Sequence, residues 1–268
     1  MSIENLRSIP VNKINEAKYY RYIKDNFAEY FFFHVDYAQY PENTEIYMAL
    51  DEKENIHGLL LVWKGQRVQL RGSTDSTEVL LKNKDYNPLS ITGFDVHKKI
   101  IAKYFPDYTK EIAMYRMEMD RGDFVDHEKY SFEVLTDLHK EEIASFMRVT
   151  DPVYWGSRQP EDITIDENNI HYGIFENHKL ISITAFWKYD NVGYIFIVGT
   201  HPDYWNRGYA CSLVSSALKY LFQEREKCLI TVRVKNPPAI HTYEKLGFTI
   251  QNTQYQYEKE NEETLFRL

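Results

Sequence analysis

Two cysteines, Cys211 and Cys228, are all the chain offers, too few for a disulfide framework. Neither stands in a metal-ligand spacing, so no metal is expected and both read as small core residues. No apolar run approaches the roughly 20 residues that a membrane-spanning helix needs. The opening MSIENLRSIPVNKINEAKYYRY lacks the apolar stretch of a secretory signal. A basic surplus is missing too. Asp and Glu number 40 against 32 Lys and Arg, for a formal net charge of -8, which disfavours a nucleic-acid partner. These gaps predict a cytoplasmic protein that partners neither nucleic acid nor membrane, as a monomer or homodimer. There is also no Ser/Gly-rich linker, low-complexity tract or block of like charge.

What is present is core-forming material. Hydrophobic residues make up 43% and aromatic residues 15%, which argues against disorder. At 268 residues the chain suits one large domain or two moderate ones. A repeat favours two. EIYMALDEKENIHGLLLVWKG (45–65) resembles IHYGIFENHKLISITAFWKYD (170–190), and their Trp-Lys pairs, at Trp63 and Trp187, lie a small domain's length apart.

Element order agrees in the two halves. In the first, a helical region spans 15–37. Strands follow near 45–51, 56–64 and 67–71, a helix near 75–83, a strand near 89–93, a helix near 95–105 and a strand near 110–119. In the second, a strand at 131–135 leads to a helix at 137–149 and the irregular DPVYWGSRQPED. Strands near 170–176, 180–188 and 192–199 precede a helix at 207–224, a strand at 228–234, a helix at 237–246 and a strand at 248–257. The long helix shows an unbroken apolar stripe through Ala210, Leu213, Val214, Ala217, Leu218, Leu221 and Phe222. The expected class is α/β of the mixed, α+β kind: two tandem units, each a central mixed sheet flanked by helices. Their seam falls in MDRGDFVDHEKY near Gly122, giving domains 1–125 and 126–268.

One junction carries chemistry. Between the apolar YIFIVGT and the long helix stands HPDYWNRGYACS, with Gly208 and Ala210 two apart and no carboxylate after Asp203. A helix start exposes free backbone N–H groups and the positive end of its dipole, a natural seat for phosphate. Small residues let those amides approach an anion, and Gly208 can take a positive φ. Asn206 and Arg207 add donors. WNRGYA therefore reads as a diphosphate cradle.

The stretch VGTHPDYWNRGYA resembles the [Arg/Gln]-x-x-Gly-x-[Gly/Ala] motif, following V-x-P-x-[Tyr/Trp], of the GNAT superfamily of acyl-CoA-dependent N-acyltransferases. Trp205 stands where that family usually has Arg or Gln. NPPAIHTYEKLGF (236–248) is similar to its N-x-x-A-x-x-x-Tyr-x-x-x-Gly-Phe segment, and the resemblance covers about residues 130 to 258. It implies acetyl-CoA or another short acyl-CoA as co-substrate. The diphosphate would sit on the amides of Arg207 to Ala210, with Trp205, Asn206, Arg207, Gly208, Tyr209 and Ala210 forming the cradle. The pantetheine arm would pair with the backbone of Val198 and Thr200, in a splay between that strand and CLITVRV. Asn236 would contact the arm, and Tyr243 would stand near the thioester sulfur.

The implied reaction is attack of an amine on the thioester carbonyl. A backbone N–H near Val198 to Thr200 would stabilise the oxyanion, and the Tyr243 phenol would protonate the leaving thiolate. YIFIVGT holds no acid to deprotonate the amine, which leaves His201, Asp151 and His171 as candidates. Tyr154, Trp155 and Arg158 are expected either to hold the acceptor, an amine-bearing small molecule or protein, or to form an exposed lid. The first half has no such cradle: Asp75 and Glu78 occupy its helix start, and GFDVHKKIIAKYF keeps Tyr104 without the Asn-Pro start. It reads as a degenerate copy, in a layout the resemblance likens to the glycine N-acyltransferase group. The alternatives are a CoA-binding sensor without turnover and, where CoA is dispensed with, aminoacyl-tRNA-dependent transfer.

Overall fold

The structure is a computed structural model that describes residues 5–82 and 84–260, with the backbone alone at 153 and 154. Its described residues divide into two compact units, one of 5–114 with 253–260, the other built on 115–252. The division differs from a cut at 125: two strands, β6 (Lys110–Asp120) and β12 (Thr249–Glu258), each contribute residues to both units.

In the first unit, β1 (Arg7–Pro10), β2 (Thr44–Leu50), β3 (Ile56–Trp63), β4 (Arg67–Gly72) and β5 (Ser90–Phe94) lie side by side in that order. The second half of β12 runs antiparallel to β5, Gln254 opposite Phe94. Among the described residues β4 and β5 pair parallel, while β1 with β2, β2 with β3 and β3 with β4 pair antiparallel. Alternation along the strands sends Met48, Leu59 and Leu61 to one face, against Tyr19, Ile23 and Phe33 of α1 (Glu16–Lys24) and α2 (Phe31–Gln39). Leu60, Val68 and Leu70 face the other way, toward Leu80, Ile100 and Ile101 of α3 (Thr74–Leu81) and α4 (Lys98–Tyr104). The helical region 15–37 is thus two helices, broken around Asp25 and Asn26, residues that favour turns over helix interiors.

The second unit orders the first half of β12, then β6, β11 (Lys227–Arg233), β10 (Val192–Thr200), β9 (Lys179–Tyr189), β8 (Asn169–Glu176) and the two-residue β7 (Glu133–Val134). Strands β7 to β10 pair antiparallel and β10 with β11 parallel. One face packs on α5 (Lys140–Thr150) and α6 (Pro152–Trp155) through Ile143, Phe146, Met147, Ile183, Ala185 and Ile197. The other packs on α7 (Tyr209–Leu221) and α8 (Pro237–Leu246). Leu213, Val214, Leu218 and Leu221 of α7 are almost wholly buried, each stabilising the unit by about 2 kcal/mol.

Three serines interrupt that buried helix face, and each is satisfied. Ser212 Oγ accepts the amides of Lys129 and Tyr130 at 2.9 and 3.0 Å. Ser215 Oγ accepts the His127 amide at 2.8 Å and donates to Asp126 Oδ1 at 2.9 Å. Ser216 donates to the Ser212 carbonyl at 3.0 Å. The segment 126–130 is thereby strapped along α7. Helix α8 opens with Pro237 and Pro238, whose missing N–H groups cost nothing there, and closes at Gly247 with φ +113°. A Cβ on Gly247 would lie 2.2 Å from the Asp123 carbonyl oxygen. Gly247→Ala is therefore expected to cost about 3 kcal/mol or more, read as a fall in the thermal midpoint. Among the described residues no helix is long and apolar enough to cross a membrane.

Candidate active site

Strand β10 is the axis of the site. It pairs with β11 only from Val192 to Ile195, opposite Lys227 to Ile230, yet stays on β9 as far as Thr200. A bulge between Ile195 and Ile197 bends it, as bulges do where a strand must part from a neighbour. The His201 amide bonds to the Ile181 carbonyl at 2.9 Å. Counting back in twos, 197 and 199 address β9 while the backbone of Val198 and Thr200 turns to the side β11 has left. The two strands part here, with the backbone of Val198 and Thr200 on the free edge.

The edge ends in the cradle. Asn206 and Gly208 both take left-handed backbone, φ +60° and +85°, tolerated by Asn and Gly above other residues. Gly208 is the N-cap of α7, and the first turn carries no acid. The first helical bond runs from the Ser212 amide to the Gly208 carbonyl at 3.0 Å, so the amides of Tyr209, Ala210 and Cys211 precede it and project from the helix end. A Cβ on Gly208 would meet nothing within 4 Å. The space before the helix is open, and the residues present fit a diphosphate.

Other side chains fix the loop. The Trp205 indole N–H donates to the Thr200 carbonyl at 2.7 Å while the ring stays 58% exposed. Trp205 thus ties the loop to the strand, and of the Thr200 backbone the N–H remains for a ligand. Arg207 donates to the Asp203 carbonyl at 3.0 Å and lies over the Tyr204 ring. Tyr130, from the strap, donates to the Arg207 carbonyl at 2.8 Å and packs on Tyr209 with centroids 4.4 Å apart. Sequence reasoning missed Tyr130. Its signal was indirect: buried serines beside an apolar stripe call for a polar strand of chain to satisfy them.

The first unit also hands a strand, β4, to a helix, α3, and there the junction is closed. Ser73 caps the helix by accepting the Ser76 amide at 3.2 Å. Asp75 stands in the first turn, and His97 Nε2 sits 2.9 Å from the Gly72 carbonyl. A Cβ on Gly72 would lie 2.4 Å from the His57 carbonyl.

Tyr243, on α8, is 5% exposed. Burial, then the neighbouring Tyr194, pushes its phenol well above the ordinary value, so it keeps its proton. Asn236 caps α8 by accepting the Ala239 amide at 3.3 Å, which organises this helix start. His201 likewise serves its turn, accepting the Asp203 amide at Nδ1. His171 is 1% exposed and stacks edge-on to Phe196, 5.8 Å away. Trp155 and Arg158, 9% and 6% exposed, correct the expectation of an exposed lid: Trp155 packs into the core beneath α5. The Tyr154 side chain lies outside the described residues.

Burial also governs two histidines, one per unit. His97 and His171 are held down at about 4, below the ordinary 6.5. Between those values the unfolded chain binds the proton and the folded one does not. Their stabilisation is complete above pH 6.5 and is lost as pH falls toward 4, by up to about 3 kcal/mol per histidine. Urea midpoints should drop across that window, and His171→Phe should flatten the dependence.

The site is thus a strand that parts from its neighbour at a bulge and feeds an open, acid-free helix start. Residues 132–248 match the model of the acetyltransferase (GNAT) family. Among curated proteins, the mycothiol acetyltransferase of Saccharomonospora viridis is 37% identical over 67 residues, 25% of this chain and 22% of that relative's length. Solved structures share the fold. A GNAT-family acetyltransferase from Colwellia psychrerythraea has 9% identity and a TM-score of 0.58 over 95% of this chain and 100% of its own. A GCN5-related N-acetyltransferase from Kribbella flavida has 12% identity and a TM-score of 0.53 over 78% and 89%.

Proposed function

We propose that the protein transfers an acetyl or other short acyl group from acyl-CoA to a primary amine of a small molecule or protein in the cytoplasm. The observation that carries this reading is the open mouth of α7, with Gly208 left-handed and unobstructed and three amides ahead of the first helical bond. Acyl-CoA supplies an electrophilic thioester carbonyl. The chain supplies the rest: Tyr209 and Ala210 amides with Asn206 and Arg207 hold the diphosphate, and Val198 and Thr200 offer the free strand edge. Tyr243 keeps a proton for the departing sulfur, and an N–H on the β10 edge faces the carbonyl oxygen. The closed junction at Ser73 and Gly72 supports reading the first unit as a degenerate tandem copy that binds no CoA. Calorimetric titration with CoA and acetyl-CoA tests the assignment, followed by thiol release with a panel of amines. One CoA per chain and thiol release with at least one amine are expected; no binding at millimolar CoA would sink it.

A further inference from the structure

The strap at 126–130 does more than satisfy the serines of α7, because its last residue reaches the cradle. Helix α7 holds the strap at both ends. Lys219 Nζ lies 3.2 Å from Asp126 Oδ2 and 3.2 Å from Glu128 Oε2. Ser212 Oγ, in the first turn of the helix, accepts the Lys129 and Tyr130 amides. Tyr130 is thereby a fixed post on a rigid element. Its hydroxyl reaches back to the Arg207 carbonyl at 2.8 Å, and its ring packs on Tyr209 with the Lys129 ammonium 5.0 Å from its centre. These contacts close a circuit. Ser212 bonds the Gly208 carbonyl through its own amide, holds Tyr130 through its hydroxyl, and Tyr130 returns to the residue before Gly208.

The Arg207 carbonyl and the Gly208 N–H share one trans peptide plane and point in opposite directions. Pinning the oxygen toward the strap turns the N–H away from it. The Gly208 amide donates to no backbone carbonyl among the described residues, which leaves it to join the amides of Tyr209, Ala210 and Cys211 at the mouth of α7. Sterics alone do not fix that plane. Rotating it changes ψ of Arg207 and φ of Gly208, and glycine takes either sign of φ at little cost. No neighbour crowds the position either, since a Cβ on Gly208 would meet nothing within 4 Å.

We propose that Tyr130 is a positioning residue for the diphosphate cradle: its hydroxyl selects the orientation of the 207–208 peptide that presents the Gly208 N–H to the anion. It acts through this peptide and not on the reacting atoms. Without the hydroxyl the plane samples both orientations, and the apparent Kd rises by the inverse of the competent fraction. Loss of a single hydrogen bond leaves about one molecule in five competent. The strap sets this through its grip on α7, so the amides that receive the diphosphate are held by chain that precedes the cradle by almost the length of the unit.

This assignment rests on the transferase reading, and the experiment separates the two. CoA is titrated into the unaltered protein, Tyr130→Phe, Ser212→Ala and the double variant, with pantetheine, which lacks the diphosphate, as a second probe. Tyr130→Phe keeps the ring on Tyr209. It is expected to raise the Kd for CoA about fivefold while leaving that for pantetheine within about twofold, a split that general loosening of the fold would not give. Ser212→Ala frees the strap, so in that background removal of the Tyr130 hydroxyl should cost less than about twofold. Unchanged CoA affinity in Tyr130→Phe, an equal loss for pantetheine, or losses that simply multiply in the double variant would overturn the assignment of Tyr130 alone. Failure of the unaltered protein to bind CoA would overturn the transferase reading and this one with it.

Discussion

Gly208→Glu is expected to weaken CoA binding by at least about a hundredfold while leaving the fold intact. Two effects add. Left-handed backbone at φ +85° costs a residue with a Cβ about 1 kcal/mol. The carboxylate then enters the space ahead of α7, where it displaces and repels the diphosphate, at a cost of roughly 2 kcal/mol or more. Together these exceed two factors of ten in affinity. The helix itself gains from the change, because an acid at an N-terminus complements the dipole. Stability and affinity should therefore move separately, which a general disruption would not produce. Gly208→Ala, carrying the strain alone, should lose about fivefold. Calorimetry with CoA reads both, and undiminished binding by the glutamate variant would remove the diphosphate from this helix.

Tyr243→Phe is expected to lower kcat about a hundredfold, the lower range for a lost general acid, with the Kd for CoA within about twofold. The ring stays packed beside Leu246 and Phe248 in the buried cluster, so heat stability should hold. Because burial raises the phenol above its ordinary 10.0, the unaltered protein should show no loss of rate as pH approaches that value. A variant as fast as the parent would make Tyr243 a packing residue.

The elements that the sequence announces are those whose signal is periodic and local. The α7 stripe, the three central strands of each half and the motifs around Gly208 and Asn236 stand close to where the residues predicted them. The failures are those of partner rather than of pattern. Alternation marks β6 and β12 as strands but does not say that each serves two units. Trp155 reads equally as acceptor contact or lid and is neither legible as core nor excluded from it, since an aromatic in an irregular stretch carries no period. Tyr130 was invisible because its role arises from a contact made far along the chain, to the Arg207 carbonyl. β1 was missed for its length of four residues.

The double membership of β12 has a consequence for biosynthesis. The edge offered by Ile91 to Phe94 is covered by Gln254 to Tyr257, residues that leave the ribosome only after the whole intervening unit. Until then the amino-terminal body waits with an uncovered strand, and its maturation is timed by the translation of the unit that follows it.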